Sequence, residues 1–368
     1  MAPARAYLDH NATSPLRPDV ARAMHLALTL SGNPSSVHAE GRAARSRLEA
    51  ARAEVARWLA CAPSRVVFTS GATEAIDLAL ADAGPVIAAG IEHRAVLAHV
   101  AADDVLPATR AGTVDLEALE ARLARGGVAW VSVMLANNET GVIQPLAEVA
   151  ALARRYGVKL HVDAAQAPGR SDPRPAVGLA DRLSFSVHKA GGPAGAGVLV
   201  HDPDAPPRPR LRGGAQEHRL RAGTENLVAI CGLAALTGAL DPAEPARLGR
   251  LRDRLEAEVL ALGEAVEVVG RDAPRLPNTS CLLVPGLRAD TQVAALDLDG
   301  VAVSSGAACS SGLVEPSHVL RAMGLPPVDA ACAIRVSLGW SSGAAEVDRF
   351  VDAFAALLRR ARRRGRAA

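Results

Sequence analysis

Apolar and polar positions along this chain follow two rhythms. Between about residues 66 and 200, short apolar runs alternate with segments whose apolar positions recur every three or four residues. The short runs predict strands over 66–69, 86–89, 130–135, 160–163, 183–187 and 197–200. The intervening segments predict helices over 73–81, over 116–123 behind Asp115, and over 145–156. Pro145 falls in the first turn of the last, where a missing N–H costs nothing. Strand–helix alternation at this spacing implies an α/β fold with a mainly parallel sheet. Ligands in such sheets bind beyond the carboxyl ends of the strands.

Upstream, Ala44, Leu48, Ala51, Val55 and Trp58 form one apolar face of a long helix. The Pro-rich stretch 202–209 reads as a loop. After about Asp241 a helix over 248–262 opens a second, smaller α+β unit. Its strands are expected near 266–269, 280–284 and 334–337, with a closing helix around 345–364.

Composition narrows the picture. The 368 residues, 49% hydrophobic and 22% charged, suffice for two domains with a large buried core. A net charge of +2 gives no overall bias toward polyanions, so direct nucleic-acid binding is not expected. The basic run 359–366 reads either as a solvated helix end or as a docking site for an acidic partner. No apolar run is long enough to predict a membrane span or a signal peptide, and the expectation is a cytoplasmic protein. The cysteines Cys61, Cys231, Cys281, Cys309 and Cys332 are widely spaced and odd in number, which argues against a disulfide framework or a zinc site. Of 41 basic residues only Lys159 and Lys189 are lysines. Arginine stays protonated, whereas a desolvated lysine can become an amine nucleophile.

Five segments carry candidate chemistry. Ser70-Gly71-Ala72-Thr73-Glu74 joins a strand to a helix, which is either plain turn geometry or an anion site at the helix N-terminus. Asp163 ends an apolar strand, where it is either a helix N-cap or the partner of a buried cation such as a pyridinium. Lys189 follows a strand end beside Ser186 and His188 and precedes a Gly-rich loop, the setting a Schiff-base lysine needs. Lys159 begins its strand, at the wrong edge, and reads as a surface residue. Cys309 sits within the small residues 304–312, which are expected to form a mobile loop with an exposed thiol, against a chance Cys in a turn. Arg335 interrupts a strand, either as a surface residue or as a carboxylate clamp.

Together, from Tyr7-Leu8-Asp9 and Gly32-Asn33-Pro34-Ser35-Ser36 to Arg335, these segments resemble the cysteine desulfurases, pyridoxal-phosphate (PLP) enzymes of the class V aminotransferase fold. The resemblance implies the PLP-dependent transferase fold type I: a segment 1–15 packing with the small domain, a large PLP-binding domain 16–240 and a small domain 241–368. It implies that Lys189 holds PLP, that Asp163 pairs with the pyridine nitrogen, that Gln166 reaches the phenolic oxygen, and that His93 stacks on the ring and moves protons. The phosphate falls to Ala72, Thr73, Ser186 and His188, and to Thr224 of the neighbouring subunit, which implies a homodimer. Asn138 lies near cofactor and substrate carboxylate; Arg335, helped by Asn33, binds that carboxylate; Cys309 is the nucleophile. The implied reaction takes the sulfur of L-cysteine as a persulfide on Cys309, leaves L-alanine, and passes sulfur to an acceptor such as an iron–sulfur scaffold or a sulfur carrier. A selenocysteine lyase or an aminotransferase on the same fold is the alternative. The chain departs from the family pattern at Val187 (usually Gly), Ala194 (usually Lys), and His218 and Arg219 (usually Arg then Gly).

Overall fold

The strands expected between residues 66 and 200 form, and they lie in one sheet. The computed structural model describes residues 5–263, 265–306 and 315–365. Its strands, in chain order, are β1 (Ala6–Tyr7), β2 (Val66–Thr69), β3 (Val86–Ala89), β4 (Val105–Leu106), β5 (Trp130–Met134), β6 (Lys159–Asp163), β7 (Arg182–Ser186), β8 (Gly197–His201), β9 (Glu267–Val268), β10 (Thr279–Leu283), β11 (Val301–Ala302) and β12 (Ala333–Ser337). The first helices are α1 (Pro18–Leu28), α2 (Ala39–Trp58) and α3 (Ala72–Leu80).

The large sheet has the order β2-β8-β7-β6-β5-β3-β4. Strands β7, β6, β5, β3 and β4 are parallel, while β8 runs antiparallel between β2 and β7. The carboxyl ends of β2 and β7 therefore meet the start of β8 at one edge.

Strand alternation decides what each face carries. On one face Val131, Val133, Leu160, Val162, Leu183 and Phe185 join the main core with α2 and the helix Leu227–Ala239. Each such fully buried side chain stabilises the fold by roughly 1.5–3 kcal/mol before ordering entropy is counted. The opposite face carries Ser132, His161 and Ser184 across three neighbouring strands. His161 bonds Ser132 Oγ through Nδ1 at 2.8 Å and Ser184 Oγ through Nε2 at 3.0 Å. Asp163 and Ser186 continue this polar face to the carboxyl edge.

The second unit is built on the antiparallel sheet β12-β10-β9, with β1 paired to β11 alongside. Period 2 again sorts the residues. Leu282, Val284, Ile334 and Val336 enter a second core with Phe350 and Phe354 of the closing helix Ala344–Gly365. Cys281 and Leu283 face the main core. Arg335 lies opposite Cys281 in register and shares its face, which turns the arginine away from the second core. The stretch 304–312 does not begin as a free loop. Ser304 is buried and bridged to Arg335, its N–H and C=O bonding the Arg335 backbone at 3.2 and 2.7 Å. Among the described residues no single helix is long and apolar enough to cross a membrane.

The departures at Val187 and His218-Arg219 have physical counterparts. Val187 is wholly buried in the main core, and Gly192 leaves the space its methyls occupy; a Cβ at 192 would lie 2.5 Å from Val187 Cγ2. Glu217, His218 and Arg219 all adopt left-handed backbone, with φ of 44°, 56° and 67°. That turn is held by Glu217, which accepts two 2.8 Å bonds from the buried Arg52 guanidinium and one of 2.8 Å from Phe68 N–H. Glu217→Ala should cost about 3–5 kcal/mol, because it strips the buried Arg52 guanidinium of its two-bond partner and leaves it, among carboxylates, only the half-exposed Glu49, which accepts from Nε at 3.1 Å. Urea unfolding measures this, and a loss below about 1 kcal/mol, the scale of a surface pair, would contradict the assigned role.

Candidate active site

At the carboxyl edge, Thr69 of β2 and Ser186 of β7 flank Gly197, the first residue of β8. The chain turns from β2 through Ser70 and Gly71 into α3. A Cβ at Gly197 would stand 2.4 Å from the Gly71 carbonyl carbon, so glycine there is what lets the helix N-terminus settle over β8. No side chain caps α3. Its first-turn N–H groups and its dipole present positive potential to the space in front of them.

That space is a cavity of about 480 Å³. Ala72, Thr73, His93, Asn138, Asp163, Gln166, Ser186, His188, Lys189 and Arg335 all line it, with Asn11, Ala194 and Gly306. Lys189 enters from the 3₁₀ turn His188–Ala190 that follows β7. Asp163 enters from the end of β6, with one carboxylate oxygen accepting from Ala165 N–H at 2.9 Å. Asp163 thus makes the local cap bond and still faces the cavity. Ser186 Oγ is buried without a hydrogen-bond partner beside the α3 N-terminus. Asn33 and Thr224 are exposed and do not line the cavity of this chain. Cys309 lies outside the described residues. Lys159 is at the opposite edge, its Nζ donating to Asp204 O at 3.3 Å. Cys231, Cys281 and Cys332 are buried and Cys61 is half-buried.

Electrostatics in the cavity follow from burial among cations. Desolvation pushes the His93 imidazole below its ordinary value; Asp163 opposes this and Lys189 and His318 reinforce it. His93 Nδ1 accepts from Ala95 N–H at 3.1 Å, so the neutral ring carries its proton on Nε2. His188 is lowered to about 4 by burial, then by Lys189 and Arg170.

Arg335 is held on two sides. Its Nη2 donates to Asp9 Oδ1 at 2.7 Å and its Nη1 to Asn138 O at 3.2 Å, while Nε is buried without a partner. Asp9 is a functional neighbour that pattern reading of the residues did not single out, since an acid near the chain start gives no local sign of a partner 326 residues away. Glu139 is another. It is buried, accepts from Ser317 Oγ at 2.6 Å, and its carboxylate lies 2.8 Å from where a Cβ at Gly306 would stand. Burial raises its pKa.

Residues 6–350 match the family model described as aminotransferase class-V. The chain is 41% identical to a cysteine desulfurase of Cereibacter sphaeroides, over 95% of this chain and 94% of that one. It is 39% identical to an IscS-like cysteine desulfurase of Mycobacterium tuberculosis, over 99% and 98%. Among solved structures, a NifS-like protein from Rickettsia africae superposes with a TM-score of 0.88 at 31% identity, covering 96% of this chain and 99% of that one. The chain belongs to the class-V aminotransferases and, within them, to the cysteine desulfurases.

Burial also makes stability depend on pH. His10 and His161 are each lowered from 6.5 to about 3, chiefly by desolvation. A histidine depressed in the fold stabilises fully above its unfolded pKa, and that contribution is lost as pH falls from 6.5 toward 3, because the unfolded chain binds the proton first. From pH 7 to pH 5 each should cost about 2 kcal/mol. Urea unfolding at both pH values should show the drop, and His161→Gln should shrink it by about that amount. An equal drop in the variant contradicts this account.

Proposed function

We propose that the protein is a cysteine desulfurase that converts L-cysteine to L-alanine and delivers the sulfur as a persulfide on Cys309. The observation that carries the proposal is the convergence on one cavity of an amine, a strand-end carboxylate and an uncapped helix N-terminus.

The residues present fit PLP. The orphaned Ser186 hydroxyl, the N–H groups opening α3, Thr73 and His188 offer donors to a phosphate. Thr224 of the partner subunit would complete this cup in a homodimer. Asp163 would face the pyridine nitrogen, Gln166 the phenolic oxygen and His93 the ring, with Lys189 Nζ as the covalent attachment. When bound, PLP supplies an electron sink for the α-carbon of the substrate.

The chain's own groups then divide the work. Arg335 receives the substrate carboxylate through its unpartnered Nε, held in place by Asp9, with Asn138 beside it; Asn33, which does not line this cavity, takes no part in this reading. Lys189 Nζ takes the α-proton and returns it. The Cys309 thiolate attacks the substrate sulfur; the S–S bond forms, the C–S bond breaks, and the electron pair stays on carbon, where a proton makes the methyl of alanine. His93, neutral with its proton on Nε2, is suited to move protons over the ring. In this reading 16–240 carries the cofactor and 241–368 the thiol. The sulfur then passes to a protein acceptor, such as an iron–sulfur scaffold or a sulfur carrier, in the cytoplasm.

The purified protein should be yellow. Lys189→Ala should lose the covalent colour and alanine formation. Cys309→Ala should keep the colour and lose the persulfide detected by mass spectrometry. Desulfuration at the unsubstituted rate in Cys309→Ala overturns the role of that thiol.

A further inference from the structure

Behind the cavity wall lies a buried cation that the mechanism above does not use. Arg170 is 5% exposed and, among the described residues, bonds no carboxylate. Its guanidinium donates to Gln166 Oε1, and through Nη2 to His10 O and to Lys189 O, each at 2.8 Å. Glu244, the nearby acid, is engaged by Arg17 through two 2.8 Å bonds. A guanidinium has donors only. The amide oxygen of Gln166 is therefore the end that faces Arg170, and Nε2 is left for the cavity, with only a 3.4 Å contact to Asn11 O. Arg170 also lies four residues beyond Gln166, on the turns that follow β6, so a single local segment supplies both the amide and the group that orients it.

We infer that Arg170 is a positioning residue that fixes Gln166 as a hydrogen-bond donor to the phenolic oxygen of the cofactor. This rests on the reading of the site given above. With the donor held in place, the phenolate form is favoured and the cofactor-bound Lys189 nitrogen gives up its proton more readily. An inverted amide would present oxygen to that phenolate and do the reverse. The titratable groups around Arg170 are Arg335 and Glu244, with His10, His188 and Lys189 on the segments packed against it. Burial beside Arg335 lowers Arg170 to about 9, so it remains a cation at neutral pH.

The test is a spectrophotometric pH titration of the PLP-loaded protein, which reads the midpoint of the cofactor's visible absorption change without turnover. Arg170→Met should raise the midpoint by about one unit, tenfold in proton affinity, the scale of losing one hydrogen bond to a charged group. Arg170→Lys keeps the charge but not the planar fork, and should raise it by less; this variant carries the test if the Met variant does not fold. In a Gln166→Ala background neither change should move the midpoint further. An unchanged midpoint in the single variants overturns the inference, and so does an equal shift in the Gln166→Ala background, which would mean that Arg170 acts by its charge alone. If the unsubstituted protein forms no visible cofactor band, the functional reading itself falls, and this inference with it.

Discussion

Two stretches of backbone come so close at the edge of the large sheet that one of them admits no side chain. Gly197 opens β8 directly beneath Gly71, where a Cβ would stand 2.4 Å from the carbonyl carbon. Everything at the cavity is arranged around that approach. It brings the N-terminus of α3 over the edge where β2 and β7 end, so helix dipole, Ser186 and the turn bearing Lys189 share one space. A larger residue at 197 would push the helix away and separate its N-terminal N–H groups from the amine of Lys189. The antiparallel insertion of β8 puts its first residue, Gly197, at this edge, between the last residues of β2 and β7.

The second theme is the cost of charge in a buried place. The cavity and its walls gather Lys189, Arg335, Arg170, His93 and His188 around the carboxylates of Asp163 and Asp9. Desolvation, reinforced by the neighbouring Lys189, pushes both imidazoles below their ordinary value. The arginines cannot shed their charge at working pH. They are instead held by carbonyls or a carboxylate, and Arg335 keeps one donor, Nε, without a partner.

The large sheet was legible from periodicity because its strands are apolar runs of four or five residues, and β2, β3 and β5–β8 form within a residue or two of expectation. The two-residue strands β1, β4 and β11 were not, since two residues carry no period. Lys189 was legible through scarcity, as one of two lysines, and Asp163 through an acid ending an apolar run. Asp9, Glu139 and Arg170 were not legible in their roles. Each is an ordinary charged residue locally, and what gives it work is a partner brought close by the tertiary fold: Asp9 by the pairing of the N-terminal segment with the second unit, Glu139 by Ser317, and Arg170 by the carbonyls of His10 and Lys189. Arg335 was half legible. As a residue interrupting a strand it read either as a surface residue or as a carboxylate clamp, and the fold, by lining one cavity with Arg335 and Lys189, removes the surface reading.

Of the two lysines, Lys189 lines the cavity and Lys159 lies at the opposite edge of the sheet, so the proposed cofactor attachment falls to Lys189 alone. Borohydride reduction of the PLP-loaded protein, followed by digestion and mass spectrometry of the peptides, tests it most directly. The pyridoxyl mass should sit on the peptide containing Lys189 and be absent from the one containing Lys159. A label on Lys159, or none on Lys189 in protein that has bound the cofactor, would contradict the account.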